Sequence, residues 1–155
     1  MPLNRPTPLN CGWIEAHIPH QGRMCLLDEI VEWSPERISC RVIGHRAADH
    51  PLRAHGRLGV SCGIEIAAQA MAVHGALIGD ASAGKPRAGF LASVRDVRLH
   101  AARLDDVQSD LICDAVRIAG DGGTALYEFV LRSAAMRLIS GRAAVVLGAN
   151  LRRPP

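Results

Sequence analysis

The sequence predicts an α+β fold, a six-stranded antiparallel sheet wrapped around one long central helix, and three observations carry that prediction. A helical period of apolar residues runs from Val60 to Gly79, two strand-like segments precede it, and four follow it with short turns between them. Consecutive strands joined by short turns favour antiparallel pairing, and a helix apolar around most of its circumference belongs against such a sheet. The 155 residues suffice for one core of ordinary size and are too few for two, so residues 1–155 are expected to form a single domain.

Residues 1–12 open with three prolines and no periodicity, and read as a loose lead-in. From Met24 to Trp33 the chain is apolar at most positions. Ser34-Pro35 breaks this run, and Ile38, Cys40 and Val42 then alternate with Ser39 and Arg41, which is a hairpin pattern. Arg46 to Gly59 holds two histidines, a proline and two glycines without a period, and reads as an ordered loop. In the helix that follows, Ile64, Ala67, Ala68, Met71, Gly75 and Ile78 recur at steps of three and four. Its surface is small nearly all round. Asp80 to Pro86 forms a linker, and strands are expected over Arg87–His100, Val107–Ile118, Thr124–Arg132 and Met136–Leu147, with Gly120 to Gly123 as a turn. One helix covers only part of six strands, so a second subunit is the expected cover for the rest.

Composition excludes several classes of function. Apolar residues are 48% and charged residues 21%, as in ordinary globular domains. The formal charge of +3 comes from scattered arginines, and aromatics reach only 3%, so neither a nucleic-acid backbone nor its bases have an evident binding surface. No run of about 18 apolar residues and no signal-peptide pattern is seen, so no membrane span is expected and a cytoplasmic location follows. Five cysteines with wide, irregular spacing and no CxxC pair argue against a disulfide scaffold and against structural zinc. Cys25, Cys40 and Cys113 lie in strand-like runs and read as buried free thiols. The histidines form no HxxxH set, so no metal site is expected.

Two segments carry a family resemblance. Ile18-Pro19-His20-Gln21-Gly22-Arg23 leading into Met24-Cys25-Leu26-Leu27-Asp28-Glu29-Ile30 resembles the opening turn and strand of the 3-hydroxyacyl-[acyl-carrier-protein] dehydratases of the hot-dog fold. Gly63-Ile64-Glu65-Ile66-Ala67-Ala68-Gln69 resembles their helix motif, and Gly89-Phe90-Leu91 with Arg95 and His100 resembles the next strand of the divergent branch associated with aryl polyene clusters. The resemblance runs from about Ile18 to Leu147. It implies a hot-dog fold, a cofactor-independent dehydratase, and a substrate thioester borne by acyl carrier protein or coenzyme A. It also implies pairing into a homodimer, or a heterodimer with a related hot-dog subunit. Glu65 falls at the catalytic position and Gln69 at the supporting one, while Gly63 and Phe90 are expected to contact substrate. The main branch's Pro-Gly-His-Phe-Pro-Gly loop is absent; Pro51 to Leu58 stands in its place, with His55 as the counterpart of the missing histidine.

Dehydration needs a base for the proton beside the carbonyl and an acid for the departing hydroxyl. Glu65 sits among Ile64, Ile66, Ala67 and Ala68, where an unpaired charge is costly, and an apolar pocket suits a carboxyl acid. Its rival role is to complement the helix dipole at the helix start. His20, in the opening turn, and His55 are the expected bases, each weighed against a structural or surface role. Gln69, one turn after Glu65, either orients that carboxyl or is a core amide satisfied by backbone. Amides at Gly59 to Ser61 are a possible oxyanion site. His17, His45, His50, His74 and His100 are expected in surface or hydrogen-bonded structural roles. Two other functions fit the same fold: an acyl thioesterase in which Glu65 activates water, and a non-catalytic acyl-binding subunit.

Overall fold

The computed structural model describes residues 9–18, 22–80, 89–121, 123–134 and 136–147. A short strand β1 (Leu9–Asn10) leads into helix α1 (Cys11–His17), followed by β2 (Glu29–Ser34), β3 (Arg37–Val42) and the long helix α2 (Gly63–Asp80). Strands β4 (Gly89–Leu99), β5 (Leu111–Gly120), β6 (Thr124–Ser133) and β7 (Met136–Leu147) complete the strands and α-helices among the described residues. They form one antiparallel sheet in the order β1-β2-β3-β5-β6-β7-β4. The sheet has seven strands where six were expected, the extra one being the two-residue β1 paired with Ile30 and Glu29.

The expected lead-in is shorter than residues 1–12. Asn10 caps α1 by accepting the Trp13 amide at 3.2 Å, Ile14 is fully buried, and the helix stops at Ile18, the residue before a proline. The expected strand from Met24 is also shorter, with pairing starting only at Glu29. Among the residues ahead of it, Met24 and Leu26 give backbone groups to a side chain of α2 rather than to a neighbouring strand. Cys25 therefore lies outside the sheet, half-buried. Cys40 and Cys113 face each other across β3 and β5, free and fully buried, and burial pushes the Cys40 thiol up to about 12.

Helix α2 lies across one face of the sheet. Its Ile66, Ala67, Ala70 and Val73 are fully buried with Ile38, Cys40, Leu111, Cys113, Ala115 and Phe129 of the strands. Small residues set how close it sits: a Cβ on Gly63 would lie 2.6 Å from Ile139 Cγ2 and 3.1 Å from Leu131 Cδ2. The helix start is thereby pressed onto β6 and β7. With its preceding turn, α2 is long and apolar enough to cross a membrane by length and composition, and 56% of that span is buried in the fold.

Two parts of this layer are left open. The half-buried stripe Ile64, Ala68, Ala72, Gly75 and Gly79 runs along one side of α2. The edge strand β4 exposes nearly its whole length, including Phe90, Leu91, Val97 and Leu99. An eleven-residue edge with apolar side chains is a template for pairing.

Candidate active site

Glu65 stands in the first turn of α2, half-buried, with Gln69 one turn on and fully buried. Gln69 is placed by long-range backbone contacts. Its Oε1 accepts the Leu26 amide at 2.8 Å, and its Nε2 donates to Met24 O at 2.7 Å and to Glu65 Oε1 at 3.2 Å. One amide side chain thus binds the segment after the Ile18-Pro19-His20 motif to the helix and braces the Glu65 carboxyl. Both roles weighed for Gln69 are filled together.

A second group gathers where the loop between β3 and α2 meets the loop between β4 and β5. Asp105, with a side chain only 3% exposed, accepts the Leu58 amide at 3.0 Å, Arg53 at 2.8 Å and Arg103 Nε at 2.9 Å. The Arg103 guanidinium, with help from these other donors, holds its carboxyl well below the usual carboxylate range. The loop is joined to the helix start where Leu104 N donates to Leu58 O at 2.8 Å and Val60 N to Ala102 O at 3.1 Å. At its other end Arg23 pairs with Asp49, both by donating to its carbonyl and across 3.4 Å to its carboxylate. The segment held by Gln69 is therefore also held to the residue before His50.

His50 is half-buried, and Leu52 N donates to its Nδ1 at 3.1 Å. Burial, reinforced by the nearby Arg53 charge, lowers its pKa, so the ring is neutral at pH 7. The expectation of a hydrogen-bonded histidine holds, but its location next to the Arg23 clamp was not foreseen. A histidine just ahead of Pro51, in the loop that feeds the helix, was the available signal.

The other expected residues are more dispersed. His20 lies outside the described residues. His55 is exposed at the tip of a two-residue turn, with φ +53° followed by Gly56 at +76°, closed by paired hydrogen bonds between Ala54 and Arg57. Phe90 is 42% exposed on edge strand β4, and Gly63 faces Ile139 and Leu131 of the sheet. At the helix start the Val60, Cys62 and Gly63 amides already donate to carbonyls, at Ala102, Gly59 and the turn before Gly63. His17 stacks on Trp13, His100 is exposed, and His45 is fully buried with its Nε2 donating to Val107 O at 2.9 Å. Among the described residues no cluster of three or more His, Cys, Asp or Glu side chains suits a metal ion.

Two of three comparisons with known proteins place this arrangement. A search of curated sequences finds no match. The dehydratase heterocomplex ApeI:P of Xenorhabdus doucetiae is similar with a TM-score of 0.78 and 23% identity, covering 86% of this chain and 90% of that one. A mutant of the thioesterase PA1618 of Pseudomonas aeruginosa is similar at 0.57 and 14%, covering 77% and 79%, and S. sahachiroi AziG at 0.57 and 14%, covering 76% and 88%. At these identities the likenesses establish the fold, which is the hot-dog fold expected from the sequence. A family model described as ApeP-like, ApeP dehydratase, matches residues 13–153. The half-buried Glu65 braced by Gln69, on a helix wrapped by this sheet, thus belongs to a member of the ApeP-like dehydratase family.

Proposed function

We propose that this protein dehydrates a 3-hydroxyacyl thioester carried by acyl carrier protein, giving the trans-2-enoyl thioester and water without a cofactor. The observation that carries the reading is the carboxyl of Glu65, half-buried at the start of a core helix and hydrogen-bonded by a fully buried Gln69. Membership in a dehydratase family over nearly the whole chain supports it.

In the reaction a base takes the proton from the carbon beside the carbonyl, the bond to the 3-hydroxyl breaks, and Glu65 delivers the proton with which that hydroxyl leaves as water. Base and acid are then reset by exchanging one proton. Of the two histidines expected as base, His20 belongs to the segment running directly into Gly22–Met24, whose last carbonyl Gln69 holds. His55, on an exposed turn, has less support. A second hot-dog subunit, identical or related, covers the β4 edge and the open stripe of α2. The two-component nature of the ApeI:P complex supports a related partner. Incubation with a 3-hydroxyacyl carrier-protein thioester tests the reaction: enoyl thioester without free thiol is expected, free thiol would make the protein a thioesterase, and no turnover would leave an acyl-binding subunit.

A further inference from the structure

We infer that Arg95 and Arg98 select the subunit that joins this chain along β4, favouring a different hot-dog chain with carboxylates on its matching strand over a second copy of this one. The inference rests on the reading that a second hot-dog subunit covers β4, and adds to it the chemistry of that partner and the residues that choose it. Strand β4 ends the sheet, and its free edge is eleven residues long with Phe90, Leu91 and Leu99 exposed. Backbone and apolar groups of this kind suit any partner strand, so discrimination falls to the charges.

Register fixes the face on which they stand. Arg95 pairs with Arg142 and Arg98 with Ser140 across β4 and β7, and Arg142 pairs with Glu128 across β7 and β6. Glu128 alternates with the buried Tyr127 and Phe129, so this row of partners lies on the face turned away from α2. Asp96 and Val97 bulge opposite Gly141, where a Cβ would meet Phe129, and so belong to the other row. Like charges directly opposite one another in a sheet are destabilising, and Arg95 with Arg142 is such a pair. Glu128 answers Arg142 at 3.0 Å. Arg95 and Arg98 are exposed, and among the described residues neither is in an ion pair.

A second copy of the chain would join by a two-fold axis, strand against antiparallel strand. With that axis at the midpoint of β4, Val94, Arg95 of one copy lies diagonal to Arg95 of the other, about 7–8 Å away. The joined outer face then gathers Arg95, Arg98 and Arg142 of both copies, while each Glu128 is already engaged by its own Arg142. A partner with Asp or Glu at the facing positions turns the same neighbours into ion pairs. Exposed pairs add little to stability by themselves, and act through the difference between one partner and another.

The probe is the chain itself with these charges reversed. Full-length native protein is mixed with ¹⁵N-labelled Arg95→Glu/Arg98→Glu, and the dimers are counted by native mass spectrometry in ammonium acetate. At about 50 mM salt the mixed dimer is expected to be about tenfold tighter than the native homodimer, and at about 500 mM, where screening shortens the reach of charge, the preference is expected to fade. Arg95→Gln/Arg98→Gln removes the repulsion and is expected to self-associate more tightly than the native chain. Mixed dimers at the statistical proportion, no mixed dimer from two folded chains, or a Gln variant no tighter than the native chain each overturn the inference. Hydrogen exchange of the Gly89–Leu99 amides in the dimers tells its failure from that of the reading beneath it. Protected amides with statistical mixing remove only the role of the arginines, whereas freely exchanging amides remove β4 as the joined edge.

Discussion

Glu65 and His74 lie nine positions apart on α2, about 13 Å along the helix axis, and the two polar groups are housed in opposite ways. His74 is fully buried with both ring nitrogens engaged: the Tyr127 hydroxyl donates to Nδ1 at 2.8 Å, and Nε2 donates to Ser34 O at 2.7 Å. The Tyr127 ring meets it edge-on, with centroids 5.6 Å apart. Burial lowers the His74 pKa and raises that of Tyr127 to about 12, so both stay neutral and the network is complete. At the Glu65 end one side of the helix presses onto β6 and β7 through Gly63, while Glu65 itself stays half-buried beside Gln69. Nothing in residue type distinguishes the two. A polar group enclosed with every atom satisfied serves packing, whereas a half-buried carboxyl keeps the access to solvent that the proposed chemistry needs.

That contrast is broken most directly at Glu65. Glu65→Gln is expected to lower enoyl formation by about 10²–10⁴-fold, followed by product mass, with the melting temperature nearly unchanged. Full activity in this variant would place the carboxyl on the structural side of the comparison. His74→Ala should do the reverse. It orphans Ser34 O and the Tyr127 hydroxyl and opens a cavity, costing about 3–5 kcal/mol and lowering Tm by about 10 °C, while the rate per folded molecule holds. A catalytic loss at native stability would instead make His74 part of the site.

Gly63→Ala probes the close approach that positions Glu65. A Cβ 2.6 Å from Ile139 must push the helix off β7, at about 1–3 kcal/mol of stability in urea unfolding. Asp105 supplies a pH test of the loop clamp. Its pKa is depressed on folding, so its stabilising contribution is fully present above the unfolded carboxylate pKa of about 4 and fades as pH falls below it. Urea midpoints of the native protein should therefore drop on going from pH 5 to pH 3, and Asp105→Asn should start lower and drop less. The smallest effect is expected at the exposed turn, where His55→Gly suits the positive φ, shifts stability by no more than about 0.5 kcal/mol and leaves turnover unaltered. A large loss of rate there would return His55 to the catalytic group.

The Val60–Gly79 helix was legible because its 3.6-residue period lies within a contiguous stretch, and the pairing of Glu65 with Gln69 followed from the four-residue spacing. The hairpin of β2 and β3 and the four later strands were equally local in their signals, and their bounds differ by only a few residues. The family resemblance rested on those same short segments. Helix α1 is not legible because it is only about two turns long, set by the Asn10 cap and the burial of Ile14, just after a proline-rich stretch that suggests no structure.

By itself, then, the amino-acid order determined the elements, their sequence along the chain and the carboxyl at the head of the core helix, since each of these is written in neighbours a few residues apart. Only the folded chain decided what surrounds that carboxyl. Gln69 meets Met24, 45 positions away, and Arg53 meets Asp105, 52 positions away. Contacts over such separations depend on how the sheet brings loops together, so no local pattern announces them. The same packing gives His74 an enclosing partner on each ring nitrogen.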